Sequence, residues 1–106
     1  MGFNPQKVID VDRLIHEPAR LSIMTILSAV ESADFLYLQR EIGLTKGNLS
    51  SHLAKLEAAD YIEITKTYRG KIPLTVCKLS EKGQEAFSNY RKQLKHIVEN
   101  TKDLMK

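Results

Sequence analysis

Apolar positions along the chain keep a helical rhythm up to residue 58, an alternating one to residue 79, and a helical one again to the end. Val8, Val11, Leu14 and Ile15 predict a short amphipathic helix with Asp10, Asp12 and Arg13 outward, ending near His16. Glu17-Pro18 restarts the chain, because proline suits the first helical position. The helix from Pro18 to about Glu31 carries Leu21, Ile23, Met24, Ile26, Leu27 and Val30 around more than half its circumference. It should therefore be the most buried one. Asp34 and Phe35 form a short extended bridge before a brief helix with Leu36, Leu38 and Ile42, which Gly43 breaks. Thr45 then caps a helix over 46–58 whose Leu49, Leu53 and Leu56 lie on one side.

After Asp60 the period changes to two. Ile62 and Ile64 alternate with Glu63 and Thr65, and Leu74 and Val76 with Thr75 and Cys77, which predicts a hairpin. Between the strands "KTYRGKIP" reads as a loop in which Gly70 permits the turn and Pro73 ends pairing on one side. Ser80 caps a last helix with Phe87, Tyr90, Leu94, Ile97, Thr101 and Leu104 at alternating steps of three and four. So narrow a seam on so long a helix calls for a partner helix.

The expected fold is mainly α with a small β-hairpin, a winged helix-turn-helix in the order α-α-α-α-β-β-α with a long C-terminal dimerisation helix. Residues 8–80 form its core and 81–106 the dimerisation helix. Two helices joined by the turn Gly43-Leu44-Thr45 would place the second in a major groove while the first sets its angle. On that second helix Asn48, Ser51, His52 and Lys55 share a side other than that of the leucines, Lys46 and Gly47 sit at the entering end, and Ser50 lies on the flank. Any surface helix shows a polar side. Two features make this one a recognition helix: Gly47, which disfavours the helix by up to about 1 kcal/mol and so calls for a reason, and the basic hairpin that follows.

Charge sharpens that picture locally rather than globally. The net charge of +3 over 106 residues is too mild to name a partner. Yet Lys66, Arg69, Lys71, Lys78 and Lys82 face only Glu81 across 66–82, whereas residues 1–31 hold more acidic than basic groups. Arg69, Gly70 and Lys71 make the hairpin tip, and Lys66 and Tyr68 lead into it as candidates for phosphate or minor-groove contact.

"LIHEPARLSIM", "GLTKGNLSSHLAKLEAADYIEITK" and "KLSEKGQEAF" together resemble the winged-helix regulators of the ArsR and MarR superfamily, in its short archaeal or bacterial form. The resemblance runs from about Leu14 to Tyr90. It implies a dimeric transcription regulator, a repressor, on double-stranded DNA with a pseudo-palindromic operator. Thr45 would meet phosphate, Lys46, Gly47, Asn48, Ser51, His52 and Lys55 would make base and phosphate contacts, and Arg69, Gly70 and Lys71 would fall on the wing tip. Phe87, Tyr90, Leu94, Ile97 and Leu104 would join the protomers. The alternative is a winged helix used for protein contact without DNA binding.

The remaining chemistry is sparse. The metal-sensing branch of the resembled superfamily carries a cysteine pair in its helix-turn-helix, and this chain has one cysteine, Cys77, which reads as packing on an apolar strand. His96, Glu99 and Asp103 read as solvated flanks of the last helix rather than a zinc site. Arg20 should make an ion pair or a carbonyl contact. No catalytic set, cofactor or metal site is expected, and the sequence leaves any small-molecule effector open. Neither a secretory signal nor a run of eighteen apolar residues is present, so a cytoplasmic protein, on the nucleoid when bound, is expected.

Overall fold

A computed structural model describes residues 4–101. The elements are α1 (Gln6–Ile9), α2 (Pro18–Ala29), β1 (Ala33–Asp34), α3 (Phe35–Ile42), α4 (Lys46–Ala58), β2 (Ile62–Arg69), β3 (Ile72–Leu79) and α5 (Glu81–Thr101). This is a winged helix. It has five helices and a three-stranded antiparallel sheet in the order β1-β3-β2.

The first helix is shorter than the apolar rhythm predicts. Asp12 interrupts it, its Oδ1 accepting the amides of Leu14 (2.9 Å) and Ile15 (3.2 Å). A side chain that offers backbone donors a local partner competes with the helix. Val11 and Ile15 still reach the core, while Val8 and Ile9 stay exposed. Likewise α2 stops at Ala29, two residues early, and leaves Val30 exposed as its C-cap. Its N-cap is Glu17, whose carboxylate accepts the Arg20 amide at 2.8 Å. As expected, α2 supplies the centre of the core through Ile23, Met24 and Leu27.

The bridge lies at Ala33–Asp34, one residue before its predicted place, and pairs with Cys77 and Val76. Asp34 serves twice, since its side chain also caps α3 by accepting the Tyr37 amide at 2.8 Å. Gly43 closes α3 at φ 78, the left-handed conformation that glycine adopts without a Cβ penalty. Thr45 caps α4 by accepting the Asn48 amide at 3.1 Å.

Pairing in the hairpin runs further than the sequence suggests, through Tyr68↔Pro73 to Arg69↔Ile72. Pro73 does not end it, because β1 covers β3 only at residues 76 and 77 and the missing N–H can face that open flank. What remains as a turn is Gly70-Lys71. Positive φ at Gly70 (64°) and not at Lys71 marks a type II′ turn, whose twist matches that of the strands.

The junction of α4, the sheet and α5 is tightly built. Asp60 takes φ 62, the Tyr61 amide reaches back to the Leu56 carbonyl (3.0 Å), and the Tyr61 carbonyl accepts the Ser80 amide (3.0 Å). Ser80 caps α5 through the Gly83 amide at 2.9 Å. A Cβ on Gly83 would lie 1.9 Å from the Tyr61 carbonyl oxygen, so only glycine allows this approach. The Tyr61 hydroxyl donates to Asp12 Oδ2 at 2.5 Å, tying the N-terminal segment to the base of the hairpin. Burial first, then the hydrogen bond to Asp12 and its charge, push the Tyr61 phenol up to about 12.

The division at residue 80 does not separate core from dimerisation helix. Gly83, Phe87 and Tyr90 of α5 are buried in the protomer's own core, and Tyr90 shares a 2.7 Å hydrogen bond with His16 Nδ1. Phe87 and Tyr90 therefore leave the proposed seam between protomers. Leu94 and Ile97 are half-buried and Val98 is 63% exposed, while Leu104 and Asp103 lie outside the described residues. Twenty-one residues make a rod about 31 Å long, which helps give the protein a longest dimension of 60 Å against 26 and 21 Å. Cys77 is fully buried, and burial, followed by the charges of Glu57 and Asp34, raises its thiol to about 11. It packs in the core, as expected of it.

Replacing Gly83 by alanine should destabilise the fold by about 2–3 kcal/mol, because no flexible neighbour can yield to the new methyl, whereas Tyr61→Phe should remove about 1–2 kcal/mol by deleting a hydrogen bond to a charged group. Because the Tyr61 phenol ionises later in the folded chain than in the unfolded one, its contribution is complete below the ordinary tyrosine range and is lost as pH rises towards about 12. Urea titrations at neutral and high pH check both, the Phe variant being the one that loses this alkaline dependence.

Candidate nucleic-acid interface

Helix α4 stands on the core through Leu49, Leu53 and Leu56, each no more than 2% exposed. A helix anchored along one stripe must present the remainder outward. Lys46, Gly47, Asn48, Ser50, Ser51, Ala54 and Lys55 are all exposed, and Thr45 sits exposed at the cap. Among the described residues, no hydrogen bond or ion pair engages the side chains of Lys46, Asn48, Ser51 or Lys55. A Cβ on Gly47 would meet nothing within 4 Å, so the folded protomer itself gives no reason for glycine there.

His52 is the exception. Its ring is only 19% exposed and leans towards the start of α2, with Nδ1 3.0 Å from Arg20 Nη1 and 3.8 Å from Glu17 Oε1. Arg20 also donates from Nε to the Leu14 carbonyl at 2.6 Å, the carbonyl contact expected of it. Burial alone would raise the Glu17 carboxyl, but the amides of Arg20 and Ala19 and the charge of Arg20 oppose it, and the carboxyl is held below its ordinary value. Arg20 and Glu17 thus belong to the setting of α4, which the sequence reading did not attribute to them. Their signal was present as the Glu17-Pro18 helix start, but no periodicity links residue 20 to residue 52.

One flank of α4 opens on a groove of about 670 Å³. Lys46 and Ser50 line it from α4, Leu36 and Gln39 from α3, and Ile64, Lys66 and Thr75 from the sheet. The two-residue alternation of a strand explains the sheet side: Ile64, Lys66 and Tyr68 share one face, and Arg69 takes the other. Lys66 therefore lines the same groove as Lys46 and Ser50. Tyr68, Arg69, Gly70 and Lys71 stand beyond them at the exposed tip, Tyr68 being 69% exposed. On the outer side of α3, Tyr37 and Arg40 form a second exposed pair that the sequence reading passed over, the guanidinium lying 5.7 Å from the ring centre.

The arrangement offers donors and the lysines of two elements around one concavity, which Asp34 and Glu57 also line, with short side chains on the exposed face of α4 where a backbone could come close. It offers no acid and base pair set for catalysis, and among the described residues no cluster of His, Cys, Asp and Glu could hold a metal. No described helix is long and apolar enough to cross a membrane.

Comparison with known proteins agrees with this geometry. A winged helix DNA-binding domain family matches residues 19–98. An uncharacterized protein of Methanocaldococcus jannaschii is 33% identical over 89 residues, covering 83% of this chain and 96% of its own. The structure of a transcriptional regulator homologue from Pyrococcus horikoshii superimposes with a TM-score of 0.84 at 26% identity, over 92% of this chain and 96% of that one. A regulator assigned to the MarR family, from Enterococcus faecalis, superimposes with a TM-score of 0.74 at 20% identity, over 99% and 94% of the two chains. With helix-turn-helix and wing in place, the chain belongs to the winged helix DNA-binding domain family, and its fold is that of MarR- and ArsR-type transcription regulators.

Proposed function

We propose that the protein is a homodimeric transcription regulator, acting as a repressor, that binds a pseudo-palindromic operator in double-stranded DNA in the cytoplasm. The observation that carries this reading is the groove in which Lys46 and Ser50 of α4 meet Lys66 of the wing. Lysines from two separate elements face one space wide open to a rod-like polyanion, although Asp34 and Glu57 line it as well.

In this reading α4 enters the major groove by its N-terminal half. Asn48 and Ser51 face base edges, since an amide can pair bidentately with adenine. Thr45, Lys46, Ser50 and Lys55 meet phosphates, and Gly47 lets the helix backbone approach closely. Tyr68, Arg69, Gly70 and Lys71 reach the flanking backbone or minor groove. Leu94 and Ile97, half-buried against the edge of the core, and the exposed Val98 continue the apolar side of α5 and supply the contact between protomers. A second reading, docking of another protein on α4, finds no support in its exposed face, whose largest apolar side chain is an alanine.

Selecting bound fragments from the source genome tests the reading directly: a palindrome with half-sites about one helical turn apart supports it, and featureless selection overturns it. On the selected duplex, Lys55→Ala and Arg69→Ala should each weaken binding and lower the salt slope by about 0.9, one phosphate's worth, whereas Asn48→Ala should chiefly relax sequence preference. Gly47→Ala should raise the fold's stability by up to about 1 kcal/mol and weaken operator binding in a gel shift, a separation that only an external role for Gly47 produces. Val98→Asp should convert a dimer to monomers in sedimentation velocity and leave the far-ultraviolet circular dichroism unchanged.

A further inference from the structure

We propose that Arg20 is a positioning residue for the DNA interface: it holds His52 in the Nε2–H tautomer, so that the ring offers one fixed donor to a phosphate oxygen. The inference rests on the DNA-binding reading above and assigns within it a role to a residue outside both α4 and the wing.

The argument begins with what a guanidinium can do. Arginine carries five donors and no acceptor, so the 3.0 Å contact from Arg20 Nη1 requires His52 Nδ1 to accept. In neutral imidazole the proton then resides on Nε2. Glu17 Oε1, the one nearby group that could draw a proton onto Nδ1, is 3.8 Å away and beyond hydrogen-bond range. The guanidinium cannot swing aside freely, since its Nε is bound to the Leu14 carbonyl at 2.6 Å. Among the described residues no sealed-off side-chain nitrogen or oxygen lacks a partner. His52 Nε2 has no partner among the described residues, so it opens to solvent although the side chain is only 19% exposed.

Where it opens follows from helix geometry. His52 lies between Asn48 (i−4) and Lys55 (i+3) on one strip of α4, both of them exposed. Within that strip His52 is the residue held against the start of α2, away from the outermost line through Gly47 and Ser51. A donor at the border of a groove-bound helix meets the phosphate backbone rather than base edges. A fixed neutral N–H with its rotation already restrained loses little entropy on binding, which is the advantage of holding it from behind.

Nitrogen-15 NMR of the histidine rings in the free protein reads the tautomer without any DNA. The expected result is Nε2–H for wild type and a tautomer mixture for Arg20→Met; a wild-type ring protonated at Nδ1 overturns the proposal. On DNA, His52→Gln keeps an amide nitrogen near the place of Nε2, whereas His52→Asn keeps only a stand-in for Nδ1. His52→Gln should bind within about threefold of wild type, and His52→Asn should lose about tenfold, as for one hydrogen bond to a charged group, on the selected duplex and on an unrelated one alike. A loss confined to one base pair, or His52→Asn binding like wild type, overturns the phosphate assignment. Arg20→Met combined with His52→Asn should lose no more than the larger single variant, and additive losses would show that Arg20 acts only on the fold. If wild type itself shows no salt-dependent DNA binding, the regulator reading falls and the phosphate contact with it, while the ring measurement still decides the tautomer.

Discussion

Tyr61 uses every polar group it has, and the relation between the recognition helix, the wing and α5 follows from that. Its amide closes α4 on Leu56, its carbonyl takes the Ser80 amide, and its hydroxyl reaches Asp12. The carbonyl also faces Gly83 so closely that no side chain fits between them. Three elements that leave this point in different directions are thus joined through one residue. A small domain with a single modest core has few ways to fix such angles, and hydrogen bonds at a junction do it at less apolar area than packing would need.

Around that junction the molecule divides its polar groups into two kinds. Asp12, Glu17, Asp34, Thr45 and Ser80 all accept backbone amides at the starts of helices or turns, and are occupied by the fold. Lys46, Asn48, Ser51 and Lys55 are not. Evolution toward stability alone would replace Gly47, which costs helix stability and fits against nothing inside the chain. The cluster of Arg20, Glu17 and His52 lies between the two kinds, anchored by the fold on one side and open on the other.

Much of this was legible in the sequence where one rule decided the outcome. The turn Gly43-Leu44-Thr45, the cap at Ser80 and the leucine stripe of α4 stand where glycine, hydroxyl and periodicity place them. Errors arose where two rules competed. Val8 to Ile15 has the rhythm of a helix, but Asp12 offers its backbone a nearer acceptor. Phe87 and Tyr90 fit a heptad seam, yet a seam and a core stripe look alike from one chain, and here the core takes them. Pairing of residue 20 with residue 52 is a tertiary contact, on which local spacing is silent.

The hairpin, finally, is a ribbon and not a loop. Had "KTYRGKIP" been eight free residues, shaping it against any surface would cost on the order of 1–2 kcal/mol per residue in backbone freedom. Ladder pairing through Arg69↔Ile72 has already ordered all but Gly70 and Lys71 in the folded protein. On the proposed reading the wing would meet DNA as a stiff blade of defined width, selecting by the shape of the opening it enters and with little capacity to mould itself to a wrong one.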